Sequence, residues 1–417
     1  MSGTFEDTLH YTSPAHGGWG MVRIGMLVPE SVQLFVCPFA CGRHGAIGAM
    51  RQGFKDRLAY LYVDQNDIVR GYDDLIPGAV ADLLEALTWR PRVVLIFLSC
   101  LDDLIGTDRD ALLEVLHDRF PGLLFRICHM NPISLDSKSP PPVTIQRRIY
   151  SLLEPSETRE AAVNSIGNLE AVDPGCELYR LLSGMGVEEL RHISSCGTFD
   201  AFRRMASSRA NLVLLPAGVW AAQEMERKLG IPFLFLPVSY RVGEIEEGYG
   251  RLRDFLDPAG EQPDLAADRA DALAAVEAAL KAVGDRPVIV DASATVRPFG
   301  LARALLEYGF SVRRVEAQKC IPIDRENLAW LESNRPDVEL MQPQHHRVVR
   351  FDRRMGEALA IGIDGAYIAG ARHVVDLFAD GGLFGFHGLR TLMGRIRAAA
   401  ETETDLERLI DGYGLVV

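Results

Sequence analysis

The residues best equipped for chemistry in this chain are cysteines. Cys37 and Cys41 lie four apart in "LFVCPFACGRHGAIGAM", after an apolar run and inside what reads as a glycine-studded turn. Cys100 closes another apolar run, "RVVLIFLSC". Thiolates are soft ligands, so three of them at one place suit zinc or an iron–sulfur cluster. A fourth ligand would come from a histidine, a carboxylate or another subunit. Against this, cysteine is among the most buried residue types, and a single one is more often core than ligand. Three at strand ends tip the balance toward a site. A thioredoxin-like dithiol needs two intervening residues, and here there are three.

Other candidates weigh less. His16, His44 and His129 lie near the cysteine segments, and each alone reads as a surface or satisfied histidine. His345 and His346 follow the apolar run "DVELM". Cys128, Cys176, Cys196 and Cys320 read as core or helix positions, with Cys196 in "SSCGTF" the one nearest a cavity edge. No GxxxxGK[ST] occurs, and "ASATVRPFG" lacks the dinucleotide glycines, so nucleotide hydrolysis by this chain is not expected.

For thiols so distant in sequence to meet, strands must carry them to one edge. Short apolar strands alternate with amphipathic helices: "QLFVCP", "LAYLYVD", the helix "LIPGAVADLLEALTW", "RVVLIFLSC", the helix "DALLEVLHDRF", then "LLFRICH". That βαβ repetition calls for parallel sheets with helices on both faces. The proline-rich "NPISLDSKSPPPVT" ends the first unit. A second unit includes "NLVLLP" and the helix-stop-strand "KLGIPFLFLP". A polar linker and a long alanine-rich helix, read as exposed, lead to a third unit beginning at "RPVIVDAS". The expected fold is α/β, with three Rossmann-like doubly wound parallel-sheet domains and a C-terminal helical tail. Their expected bounds are 1–145, holding the cysteines, 146–260 and 261–417. In such sheets ligands bind beyond the carboxyl ends of the strands, where Cys37, Cys41 and Cys100 fall. Gly42 and Gly45 are expected to let the main chain approach a cofactor there.

Composition sets limits. The chain has 417 residues, 48% of them apolar, and a formal net charge of −13. That suffices for two or three cores. No basic patch offsets the acidity, so nucleic acid is an unsuitable partner. No stretch reaches the roughly 18 apolar residues of a membrane helix. No signal peptide is read at the start, and the expectation is a cytoplasmic protein. The seven cysteines do not resemble a disulfide framework and are expected to be free thiols or ligands.

"DQNDIVRGYDDLI", followed by an apolar strand ending in "SCLDDLIGTD", resembles component 1 of nitrogenase and its relatives. "LVLLPAGVWAAQEMERKLGIPFLFLP" and "ADGGLFGFHGLRTLMGRI" extend the resemblance over nearly the whole chain. It implies that Cys100 and Cys41 occupy the positions of two cluster cysteines. A third would fall near "YTSPAHGGWG", which holds only Ser13 and His16, so Cys37 is expected to stand in for it. The cysteine that holds the active-site cofactor in the catalytic nitrogenase subunit has no counterpart near Ala217. His387, near the closing motif, lacks its cysteine partner and reads as structural.

The resemblance therefore implies a non-cofactor, β-like subunit of a hetero-oligomer, expected to be a heterotetramer. It would bind an iron–sulfur cluster, 4Fe–4S or P-cluster-like, where it meets a second component-1 subunit. An ATP-dependent iron-protein reductase would supply low-potential electrons for reducing a small-molecule substrate, and a reductase of the methylthio-alkane type is the expectation. The alternatives are a cofactor-assembly scaffold of the same family and a metal-free small-molecule binding protein.

Overall fold

A computed structural model of the chain describes residues 9–12, 20–130, 140–350 and 355–413. Three parallel sheets with flanking helices organise it, as the strand–helix alternation requires. The first holds β1 Ser31–Cys37, β2 Leu58–Tyr62, β3 Val93–Leu98 and β4 Leu124–His129 in the order β2-β1-β3-β4. The second holds β5 Glu160–Ile166, β6 Glu189–Arg191, β7 Ser208–Val213 and β8 Phe233–Phe235 in the equivalent order β6-β5-β7-β8. The third holds β9 Val288–Asp291, β10 Val312–Glu316, β11 Glu339–Met341, β12 Leu359–Ile361 and β13 His373–Val375 in the order β11-β10-β9-β12-β13. These are the doubly wound orders in which the winding reverses once. The reversals fall between β1 and β3, β5 and β7, and β9 and β12, the places where the loops of such a sheet can part to leave a crevice.

Every residue of β1 and of β3 is buried, which is why both read as unbroken apolar runs. By packing density the chain forms two compact units. One, Trp19–Ala171 with Glu188–Phe235, carries the first two sheets. The other, Met1–Gly18 with Val172–Val187 and Leu236–Val417, carries the third. The helix Pro141–Tyr150 runs across the expected 145/146 division.

Two local expectations need correction. The stretch after Cys37 is not a turn: Phe39–Arg51 is a helix thirteen residues long. Its glycines hid it, because glycine is a poor helix former. The alanine-rich helix Ala266–Val283 is not exposed along its length. Ala272, Val276, Ala279 and Val283 form a buried stripe, and the helix packs on the closing helix Gly385–Glu401. The start of that closing helix is held by Glu177. Its carboxylate accepts from the Tyr249 hydroxyl at 2.5 Å and from the backbone N–H groups of Phe386 at 2.6 Å and His387 at 3.0 Å. These are N–H groups that a helix start otherwise leaves without a partner.

Candidate functional site

The β1/β3 reversal is where the cysteines gather. The two strands run in register to Val36 opposite Leu98. Cys37 is the last residue of β1. Cys41 occupies the first turn of the helix Phe39–Arg51, and Cys100 lies in the turn after β3. All three thiols are free.

Their surroundings differ. Cys37 is 0% exposed and belongs to the apolar core behind the sheet. Burial, and then a charge on Cys41, push its thiol up to about 12, so it stays protonated at neutral pH. Cys41 and Cys100 are only half-buried. Burial raises the Cys41 thiol first, and a charge on Cys100 raises it further. Two thiolates held near one another repel, and a cationic centre bound between them removes that cost. The first-turn N–H groups around Cys41 also favour an anion.

Gly42 and Gly45 hold Cys41 in place by letting its helix sit close to the sheet. A Cβ on Gly42 would come within 2.3 Å of the Tyr60 ring, and one on Gly45 within 2.7 Å of the Phe35 ring. The Gly42 N–H donates to Pro38 O at 3.1 Å, inside the helix. The glycines thus serve close packing, and the Gly42 amide is already engaged.

Apolar side chains stand exposed at the same edge. Phe39 is 58% exposed, Val69 86% and Leu104 84%; they follow the carboxyl ends of β1, β2 and β3 respectively. Tyr62, the last residue of β2, is exposed as well. All four lie at or after the carboxyl ends of neighbouring strands in one sheet.

A second group of polar residues adjoins Cys100. Strand pairing sets His129 opposite Leu98, and Asp102 and Asp103 open the short helix Asp102–Ile105. One ligand atom from each of Asp102, Asp103 and His129 lies within 4.8 Å of the other two. Among the described residues this is the only triple of histidine, cysteine or acidic side chains so close together. The three cysteines therefore do not form a compact single-ion site. Burial, and then the Arg109 charge, hold the His129 imidazole below its usual range. Sequence reasoning weighed His129 by itself and missed the group. The signal that could have found it is the acidic pair two residues beyond Cys100.

The other candidates fall elsewhere. His16 and Ser13 lie outside the described residues. His44 is exposed, with Nδ1 2.8 Å from Ala40 O of its own helix. Cys128 is buried on β4, and Cys176 is buried with its Sγ at the start of the helix Glu177–Gly184. The Cys196 Sγ donates to His192 O at 3.5 Å. His345 and His346 stack with ring centroids 4.4 Å apart, after the edge strand β11 and away from the reversal in the third sheet. His387 Nε2 lies 3.3 Å from an Asp173 carboxylate oxygen. At the β5/β7 reversal the loops touch: a Cβ on Gly218 would fall 2.7 Å from Gly167 Cα. Ala217 sits in that loop, which therefore presents a methyl group and no thiol after β7, and the close approach leaves little space there.

Comparison with known proteins gives the family and the fold. The family model for nitrogenase component 1 type oxidoreductases matches residues 18–401. Nitrogenase iron-molybdenum cofactor biosynthesis protein NifE of Rhizobium meliloti (strain 1021) is 22% identical over 291 residues. That match covers 65% of this chain and 59% of the relative, so the chain spans well under two thirds of its length. A solved structure of nitrogenase Cp1 at pH 6.5 superposes with a TM-score of 0.73 at 16% identity, covering 95% of this chain and 94% of the other. Nitrogenase Cp1 at pH 5 gives a TM-score of 0.65 at 15% identity, covering 96% and 89%.

Proposed function

The chain belongs to the nitrogenase component 1 type oxidoreductases, and on that premise we propose that it is a cluster-binding, electron-relaying subunit of a nitrogenase-like reductase. The observation that carries this reading is the placement of Cys41 and Cys100 just after β1 and β3, the strands that flank the reversal, with burial and then a charge on Cys100 raising the Cys41 thiol. Exposed Phe39, Val69, Tyr62 and Leu104 lie at or after the carboxyl ends of the same sheet's strands. Members of this family bind iron–sulfur clusters, form hetero-oligomers and work with an iron protein. An iron–sulfur cluster held by thiolates accepts and donates single electrons at a potential set by its surroundings. Cys41 and Cys100 are the ligands in this reading and supply half of a four-cysteine set. The other half comes from a second component-1 chain that covers the apolar edge. Cys37 lies behind them as a protonated core thiol, and Gly42 and Gly45 fix the helix that presents Cys41.

The non-cofactor role draws support from the second sheet, where Ala217 stands in the loop after β7 and the Gly167–Gly218 approach closes the reversal. The proposed electron source is an ATP-dependent iron protein. The proposed substrate class, taken from the resemblance alone, is a methylthio-alkane. Similarity to a cofactor biosynthesis protein favours a second reading, in which the same subunit pair carries a cofactor precursor during assembly.

Iron and acid-labile sulfide measured after anaerobic purification test the binding claim. The reading expects both in the native chain and a loss of most of each in Cys41→Ser and Cys100→Ser. Unchanged iron in both variants would overturn it. Turnover of a reducible substrate with iron protein and ATP separates the two readings, since an assembly scaffold holds its cluster without turnover.

A further inference from the structure

The acidic pair beside Cys100 presents an unusual balance of buried groups. Asp102 is 0% exposed. Its Oδ2 accepts from Arg109 at 3.2 Å. Its Oδ1 is buried and has no hydrogen-bond partner among the described residues. His129 adds a second such atom, the buried Nε2. A buried carboxylate oxygen or imidazole nitrogen left without a partner carries an uncompensated desolvation cost. Native chains rarely leave such atoms unpaired, and the two side chains adjoin, with His129 Nδ1 3.9 Å from Asp102 Oδ2. Both belong to the one triple of side chains, among the described residues, whose ligand atoms converge within 4.8 Å.

We propose that Asp102, Asp103 and His129 form a binding site for one first-row divalent cation, distinct from the cysteine pair. The donor set, two carboxylates and an imidazole, suits zinc, ferrous iron or manganous ions and leaves positions open for water. Arg109 does not compete for the whole of Asp102: it engages Oδ2 and leaves Oδ1 to the cation. The charged groups facing His129 are Arg109 and Arg148 on one side and Asp102 and Asp103 on the other. Bound there, the cation faces the two negative charges of the pair, with Arg109 its nearest opposing charge. His129 closes β4 and Asp102 follows β3, so neighbouring parallel strands fix the spacing of two of the three ligands. The site does not rest on the cluster reading, because none of its ligands is a thiol.

Cobaltous ion is the probe. The full chain carrying Cys41→Ser and Cys100→Ser, stripped with chelator, is titrated with Co²⁺ and followed by visible absorption and calorimetry. The proposal expects one Co²⁺ per chain, with weak ligand-field bands and no intense thiolate charge-transfer band in the near ultraviolet. His129→Gln and the exposed Asp103→Asn are each expected to weaken binding by at least about ten-fold without shifting the thermal midpoint. No stoichiometric binding, binding unmoved by either substitution, or a thiolate band would overturn it. Because the cluster cysteines are already replaced, loss of the cluster and loss of this site are read independently.

Discussion

Cys41 lies within electrostatic reach of Cys100: burial first, and then a charge on Cys100, raise the Cys41 thiol. The two residues lie 59 positions apart in sequence. Both follow strands that are neighbours in the first sheet, β1 and β3, and so stand at the same end of it. Cys37 is closer to Cys41 in sequence but points into hydrocarbon, so sequence distance misjudges which thiols can share a metal.

The glycines of the Cys41 helix make a direct packing prediction. Gly42→Ala and Gly45→Ala drive a methyl group into the Tyr60 and Phe35 rings and are expected to cost about 1–3 kcal/mol each. Gly78 is the control: it is helical, and a methyl group added there would meet nothing within 4 Å. Gly78→Ala is expected to stabilise by roughly 0.5–1 kcal/mol. Urea unfolding of the three variants measures all of this.

The third sheet carries a pH-dependent weakness. Glu316 closes β10, fully buried. Burial, then the neighbouring Asp291, push its carboxyl from 4.5 to about 8, against the pull of Arg314. Burial, then Asp364, push Asp291 to about 6. The folded chain therefore binds protons more tightly than the unfolded chain does. Stability contributed by protonated Glu316 is complete below its unfolded value and is lost as pH rises through about 8. Unfolding free energies measured between about pH 5 and pH 8.5 are expected to fall with pH, and Glu316→Gln is expected to flatten that slope.

Glu177 is expected to be a stability residue with no bearing on the cluster. Glu177→Ala removes the acceptor for Tyr249 and for two N–H groups of the closing helix, at a cost of about 2–4 kcal/mol. Tyr249→Phe loses one of these bonds and is expected to cost about 1 kcal/mol. Thermal unfolding measures both, and iron content is expected to stay at the native level.

The exposed apolar edge is expected to govern association. Val69→Asp and Leu104→Asp leave the isolated chain within about 0.5 kcal/mol of native stability, since both side chains face solvent. Sedimentation of the chain mixed with a second component-1 subunit is expected to show weakened assembly in both variants.

Much of the architecture was legible because central parallel strands are buried on both faces. β1 and β3 read directly as apolar runs, and the strand-helix alternation then implied the sheets. Strands β12 and β13 escaped, each only three residues long and short of any periodic signal. The helix Phe39–Arg51 escaped because its glycines answer to Tyr60 and Phe35, partners that only the folded sheet supplies. Residue type and strand-end position singled out Cys41 and Cys100. The contrast with Cys37 needed burial, and the nearness of Asp102 to His129 needed the pairing of β3 with β4.

Low-temperature electron paramagnetic resonance of the dithionite-reduced, anaerobically purified chain together with its partner subunit tests the central claim most directly. The account predicts a cluster signal that survives Cys37→Ala and disappears in Cys100→Ser. A signal that persists in Cys100→Ser, or one that vanishes with Cys37→Ala while Cys100→Ser retains it, would contradict the account.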